Sequence, residues 1–82
     1  MLRGWWWLSF ADEDGFRGAC CVKANDFMDA IRVASEIGIN PGGEVVALPV
    51  NAENLAKIPR YCRGVLLSKA DIDSELGGGQ KI

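Results

Sequence analysis

The sequence predicts an α+β fold: a small antiparallel sheet of β-β-α-β order, with one main helix on one face and a short C-terminal helix. Two apolar stretches near the N-terminus flank an Asp-Gly pair, which is the pattern of a β-hairpin. The next segment has apolar residues at spacings of three and four, the period of an amphipathic helix. At 82 residues the chain has the length of one domain, which we place at residues 1–76.

The hairpin is predicted to comprise a strand over residues 5–11, a polar turn over 12–15 and a second strand over 16–24. The first strand is rich in aromatic residues, which favour strands. The turn contains the glycine that tight hairpin connections need.

The main helix is predicted to begin at Asn25 or Asp26, because either side chain can accept a hydrogen bond from a free backbone N–H group. Gly38 can adopt the left-handed conformation that ends a helix, and Ile39 can make the hydrophobic contact of a Schellman motif. The buried stripe is predicted to consist of the residues at helical spacing: Phe27, Ala30, Ile31, Ala34 and Ile37.

Residues 40–43 fit a type II turn in which Gly42 has the positive φ of the third position. A third strand is predicted to follow from Glu44 to Val50, or to end two residues earlier. Pro49 predicts either a sheet edge or a strand exit at the end of this strand, because proline cannot donate to the ladder.

The C-terminal third carries weaker signals. Residues 51–57 fit a short helical turn capped by the first of them, and residues 65–67 fit a short strand. Ser68 is predicted to cap a helix that ends near Leu76. Residues 77–82 show no packing pattern, which predicts a flexible tail.

Register on the hairpin sorts the strand residues into two faces, since successive side chains point in opposite directions. The core face is predicted to hold Trp6, Leu8, Phe10, Phe16, Cys20, Val22, Val46 and Leu48. The opposite, Trp-rich face is predicted to hold Trp5, Trp7, Ser9, Arg17, Ala19, Cys21, Lys23, Val45 and Ala47. Burial of a tryptophan is worth roughly 4–6 kcal/mol, so this second face also needs a cover.

Three covers for Trp5 and Trp7 are compatible with the sequence: a second copy of the chain in a homo-oligomer, the chain's own residues 51–76, or a ligand. A nucleobase with its phosphates would suit this face, because aromatic rings stack on bases and the cations Arg17 and Lys23 meet the charge. Both cations also fit the alternative of solvated strand residues.

A second candidate region is the turn formed by Asn40, Gly42, Gly43 and Glu44. Adjacent glycines allow a ligand to approach the backbone closely, and consecutive N–H groups can bind an anion. Glu44 can accept hydrogen bonds from a base edge or a ribose. The turn lacks the Walker A and dinucleotide-binding patterns, so simple chain reversal is the alternative.

Composition argues against several function classes. Nine basic and eleven acidic residues give a net charge of −2, which disfavours binding to long nucleic acids. The chain has no histidine, the commonest general base and metal ligand, so we predict a protein that is not an enzyme and holds neither metal nor cofactor. The carboxylates of Asp12, Glu13 and Asp14 fit a solvated turn.

Cysteine usage and hydropathy bear on the compartment. Cys20, Cys21 and Cys62 are odd in number and lack a C-x-x-C spacing, which predicts reduced thiols and no zinc site. No apolar run is long enough to span a bilayer, and the N-terminus lacks a signal-peptide pattern. We therefore expect a cytoplasmic protein that does not bind membranes.

Three segments resemble a group of small uncharacterised proteins encoded by bacteriophages and prophages: Trp5-Trp6-Trp7-Leu8-Ser9-Phe10-Ala11-Asp12, Gly15-Phe16-Arg17-Gly18 and Gly38-Ile39-Asn40-Pro41-Gly42-Gly43-Glu44-Val45. The resemblance covers roughly residues 5–50 and includes no catalytic signature. It implies location in the host-cell cytoplasm. Small phage proteins of this size are often anti-defence factors, and one class sequesters nucleotide-derived immune signals within oligomers.

The leading hypothesis is a non-enzymatic homo-oligomer that sequesters a small anionic, nucleotide-like signalling molecule near Trp5, Trp7, Arg17, Lys23 and the turn at Asn40, Gly42, Gly43 and Glu44. The main alternative is an inhibitor or adaptor that docks on a host protein through the Trp-rich face. A third is an oligomeric accessory protein without a ligand.

Overall fold

The computed structural model describes residues 4–76. Within this range three strands, β1 (Gly4–Asp12), β2 (Gly15–Ala24) and β3 (Glu44–Val50), form one antiparallel sheet in the order β2-β1-β3. The helices of the same range are α1 (Phe27–Glu36), α2 (Ala52–Ala56) and α3 (Lys69–Glu75), and a 3₁₀ turn spans Arg60–Cys62. The predicted α+β fold class is therefore confirmed. The tail predicted at 77–82 lies outside the described residues.

The hairpin contains a β-bulge that the sequence pattern did not predict. Phe10 pairs with Gly18 while its neighbour Ala11 pairs with Phe16, so Arg17 is an extra residue on β2. The bulge moves Phe16 out of the alternation that would bury it. Phe16 is 44% exposed, and its predicted place in the core is wrong.

Both ends of α1 have the predicted local signals. The Asp26 side chain accepts a hydrogen bond of 2.8 Å from the backbone of the first helical turn. At the other end Gly38 has a φ of 79°. The N–H groups of Gly38 and Ile39 donate to the carbonyls of Ser35 (3.2 Å) and Ala34 (2.9 Å), which confirms the Schellman motif.

The buried stripe of α1 is shorter than predicted. Ala30 and Ala34 are fully buried and Ile31 packs against the core, but Phe27 and Ile37 are about half exposed. These two residues stand at the limits of the helix, one as its first residue and the other as its cap. The α1 residues that pack into the core lie in its middle turns, so the predicted stripe is wrong at both ends.

β3 lies at the sheet edge, as Pro49 predicted, but its register is the reverse of the predicted one. Val45 lies opposite Phe10, so Val45 and Ala47 pack under α1. Val46 and Leu48 point to the other face and are 59% and 45% exposed. A shift of one residue in register exchanges every side chain of a strand between the two faces of the sheet.

The second face is covered by residues 51–76, the C-terminal cover. Trp5 and Trp7 pack against its buried side chains and are themselves partly buried. Of the three covers predicted for these tryptophans, the structure has the chain's own. The buried members of this second cluster are Cys21, Ile58, Cys62, Leu67 and Leu76.

Backbone hydrogen bonds attach the C-terminal cover to the outer edge of β2. Leu67 donates to the Ala19 carbonyl (2.7 Å) and accepts from the Ala19 N–H (2.9 Å). Gly64 donates to the Cys21 carbonyl at 2.8 Å. The strand predicted at 65–67 is therefore reduced to one bridge.

The caps of the short helices follow the prediction. The Asn51 side chain accepts from the Asn54 N–H at 2.8 Å and begins α2. Ser68 and Asp71 form a capping box that begins α3. None of the helices in residues 4–76 has the length and hydropathy of a membrane span.

Candidate functional site

The structure separates the site residues predicted from the sequence into two groups. Trp5 lies opposite Lys23 at one end of the β1–β2 ladder. Arg17 lies at the other end, where its Nη1 is 3.2 Å from Asp12 Oδ2. At ~3.3 Å per strand residue, Trp5 and Asp12 are about 23 Å apart. A small ligand bound at Trp5 and Lys23 is out of reach of Arg17, and the ion pair favours the solvated role for this cation.

The turn formed by Asn40, Gly42, Gly43 and Glu44 belongs to the same end as Arg17. Asn40 Oδ1 accepts from the Gly42 N–H (2.8 Å), and its Nδ2 donates to Ser35 Oγ (2.9 Å), so the side chain is engaged within the turn. Gly42 has the predicted positive φ, 89°, and Gly43 has a φ of 86°. A Cβ on Gly43 would lie 2.5 Å from the Ala11 carbonyl oxygen.

A cavity of about 500 Å³ beside this turn is unsuited to an anion. Three of its lining residues are acidic, and none of those that the structure describes is basic: Ala11, Asp12, Glu13, Gly43 and Glu44. The geometry favours chain reversal as the role of the turn.

The other end of the sheet holds a cleft of about 650 Å³ at the outer edge of β2. Val33 and Ile37, from the end of α1, line one side, and residues 60–64 of the C-terminal cover line the other. Trp5 also lines it. Among the described residues its lining includes three cations, Lys23, Arg60 and Arg63, and no carboxylate. We call it the basic cleft.

The backbone edge of β2 contributes to the basic cleft. Ala19 bonds outward to Leu67, so alternation in an antiparallel ladder directs the N–H and C=O groups of Cys21 and Lys23 outward too. The Cys21 carbonyl accepts from Gly64, but within residues 4–76 no strand pairs with this edge. The Lys23 N–H is therefore a backbone donor at the cleft.

Arg63 is held rigidly in the cleft wall. Its Nε donates to the Ile58 carbonyl (3.1 Å), and its Nη2 donates to the carbonyls of Leu55 (2.9 Å) and Ile58 (3.0 Å). The guanidinium carbon lies 5.2 Å from the centroid of the Trp5 ring. Nη1 has no hydrogen-bond partner within the described part of the chain, so it remains available to a ligand.

Lys23 contacts the same indole from a more mobile side chain. Its Nζ lies 5.9 Å from the Trp5 centroid, and the residue is exposed. Trp7 lies one pair further along the face, opposite Cys21 and Leu48, and does not line the basic cleft. Of the residues predicted for a ligand site, the cleft thus brings together Trp5 and Lys23.

The thiols are poor nucleophiles. Burial raises the pKa of Cys21 to about 11 despite the nearby Arg63, and burial raises that of Cys20 to about 12. Burial also raises the pKa of Cys62. All three cysteines are free, and at neutral pH they are protonated, whereas the thiolate is the reactive form.

Sequence reasoning missed Arg60 and Arg63. The available signal was that the two arginines stand three residues apart just after Pro59. Neither residue lies in a predicted strand or helix, so nothing in the local pattern connected them with Trp5.

Comparisons with known proteins identify no relative: no protein-family model, no curated protein and no solved structure matches this chain. The basic cleft is therefore the feature that bears most directly on function.

Proposed function

We propose that this protein is a non-enzymatic binding protein that captures a small anionic, nucleotide-like ligand in the basic cleft. The observation that carries the proposal is the meeting of Trp5 with three cations, and with no carboxylate among the described lining residues. Aromatic rings stack on bases, and arginine and lysine bind phosphates. A volume of about 650 Å³ lies within the range of small-molecule sites.

The two cations on Trp5 would play different parts on binding. Lys23 is exposed, so its ammonium group can leave the indole to a stacked base and pair with a phosphate instead. Arg63 would stay in place, because its hydrogen bonds to Leu55 and Ile58 hold it. The apolar side chains of the α1 side would contact the base or sugar.

Binding without turnover fits the chemistry of the cleft. The chain has no histidine, and burial raises the pKa of the Cys21 thiol to about 11. Such a protein acts by depleting its ligand. Because of the resemblance to phage proteins, the ligand that we propose is a nucleotide-derived immune signal, sequestered in the cytoplasm of a host cell.

The proposed binding protein is a homo-oligomer, and its copies would associate through the strand β3. β3 is an edge strand on which the apolar side chains of Val46 and Leu48 are exposed. Natural proteins usually protect such an edge, because it can pair with another chain. We expect Leu48→Lys to lower the mass of the native particle in light scattering, whereas Lys69→Gln leaves it unchanged. A wild-type protein that is monomeric at all concentrations would contradict this part.

The alternative function, docking on a host protein, is favoured by the same exposed pair. Trp5 and Trp7 are covered by residues 51–76, so the docking surface would be Val46 and Leu48 rather than the indoles. Affinity capture from host lysate with wild-type protein and with Leu48→Lys tests this alternative: a stoichiometric partner lost in the variant would support it.

The ligand proposal is tested by native mass spectrometry of freshly isolated protein, followed by calorimetry with a panel of linear and cyclic nucleotides. We expect a bound small molecule that is recovered unchanged after denaturation. Replacing Lys23 and Arg60 by glutamine should weaken binding about tenfold or more, since each forms a charge-assisted hydrogen bond. Lys69→Gln, an exposed cation outside the cleft, is the control. Failure of every nucleotide to bind would contradict the proposal.

A further inference from the structure

The cations of the basic cleft lack protein counter-charges. Within residues 4–76, the cations that form ion pairs are Arg17 and Arg32. Lys23, Arg60 and Arg63 form none in that range, although they line one cleft. Unpaired cations that converge repel one another, so an anion with more than one negative charge would be favoured over one with a single charge.

The donors of the cleft are of different kinds and come from two sides. Arg63 presents Nη1 from a guanidinium fixed by Leu55 and Ile58, and Arg60, the first residue of the 3₁₀ turn, precedes it by three residues. Lys23 comes from β2, and its backbone N–H also lies at this edge. A terminal phosphate, with three acceptor oxygens and a charge of about −1.5 to −2, matches these donors better than a diester, which has two free oxygens and one charge.

On the basis of the proposed function, we infer that the basic cleft selects ligands with a terminal phosphomonoester over ligands whose only phosphate is a diester. The base or sugar would contact Trp5 and the α1 side. The phosphomonoester would lie between Lys23 and the pair formed by Arg60 and Arg63. Phosphate recognition is thereby assigned to two arginines of the C-terminal cover. None of the ligand-binding residues predicted from the sequence lies in this segment.

The inference is tested with AMP, cyclic AMP and adenosine, which share a base and differ at the phosphate. By calorimetry at pH 7.5 we expect AMP to bind about tenfold or more tightly than cyclic AMP, and adenosine most weakly. Equal affinities for AMP and cyclic AMP, or tighter binding of cyclic AMP, would overturn the inference and leave the proposed function standing. No binding of any of the three would count against both.

A pH series gives an independent readout. The second pKa of a phosphomonoester is about 6, so from pH 5 to 7.5 the dianion becomes dominant and AMP affinity should rise by up to about tenfold. Cyclic AMP keeps one charge and should show no such rise. The charged or titratable groups that line the cleft are Lys23 and Cys21 from β2 and Arg60 and Arg63 from the cover. None is histidine, the side chain that ordinarily titrates in this interval.

Arg60→Gln separates phosphate recognition from folding. Arg60 is exposed and makes no side-chain hydrogen bond within the described residues, so the variant should fold normally by circular dichroism. We expect it to lose most of the preference for AMP over cyclic AMP while its affinity for adenosine is unchanged. Lys69→Gln should keep the full preference. An undiminished preference in Arg60→Gln would overturn the role assigned to this residue.

Discussion

The two faces of the sheet are covered by different means, and the difference explains where the basic cleft lies. On one face the ten residues of α1 place Ala30 and Ala34 directly against the core strands. On the other face the C-terminal cover consists of elements of five, three and seven residues joined by loops. The two covers do not meet at the outer edge of β2, and the cleft opens there between Ile37 and Arg60.

The two covers also differ in local stability. A helix of one or two turns is barely stable by itself, so the C-terminal cover depends on packing and on a few bonds to β2. Residues that carry binding are often drawn from such less stable parts of a fold. We therefore expect the cover to open without unfolding of the hairpin and α1.

The largest effect is expected from Phe10→Ala on the helix-covered face. Phe10 is fully buried, so its truncation should lower the free energy of unfolding by about 3–5 kcal/mol, measured by denaturant titration. The amides that exchange only on global unfolding should then exchange faster. The matched variant on the other face is Ile58→Ala, which should mainly accelerate exchange at the Gly64 and Leu67 amides. Uniform acceleration in Ile58→Ala would show that the faces unfold together.

A smaller loss of stability is expected from a substitution in the turn before β3, which lies close to the hairpin. Gly38→Ala and Gly43→Ala both force a positive φ on alanine, which costs about 1–2 kcal/mol. A Cβ at Gly43 also meets the Ala11 carbonyl at 2.5 Å, whereas nothing lies within 4 Å of one at Gly38. Gly43→Ala should therefore cost about 1–3 kcal/mol more in thermal unfolding. Equal losses would contradict this close approach.

Arg63→Ala should destabilise the C-terminal cover selectively. It removes hydrogen bonds to the carbonyls of Leu55 and Ile58 and the contact with Trp5, a loss of about 1–3 kcal/mol. Tryptophan fluorescence should change because Trp5 becomes more exposed. Arg60→Ala, which removes a neighbouring arginine without such bonds, should stay within about 0.5 kcal/mol of wild type. A larger loss of stability in Arg60→Ala than in Arg63→Ala would refute the anchoring role of Arg63.

The smallest effect is expected from the capping box of α3. The hydrogen bond from the Ser68 N–H lowers the pKa of Asp71 below its ordinary value of 3.8. The ionised form is thus favoured in the folded state, and its contribution is present above pH 3.8 and lost as pH falls through the lower folded value. Melting curves from pH 6 downwards should show a smaller acid-induced loss in Asp71→Asn. Identical pH dependence would contradict this linkage.

The candidate site could be predicted only in part. Trp5 and Lys23 were identified because they share a face and oppose each other on neighbouring strands, a relation that hairpin alternation predicts. The same alternation predicts Arg17 on the face of Trp5, but a shared face does not make two residues neighbours, and Arg17 lies at the opposite end of the strands, beside Asp12. Arg60 and Arg63 were missed, since their position depends on how the C-terminal cover folds back onto β2.

The sequence by itself determined the features that depend on neighbouring residues: the hairpin, the Asp26 cap, the Schellman ending at Gly38 and the capping box at Ser68. The three helix ends need hydrogen bonds only among residues a few positions apart, and the hairpin needs a tight turn between two consecutive strands, so local composition specifies them. Tertiary structure alone decided the register of β3, the cover over the Trp-rich face and the meeting of Arg63 with Trp5. Such contacts join distant segments, and they form where buried area and satisfied backbone groups are greatest for the chain as a whole.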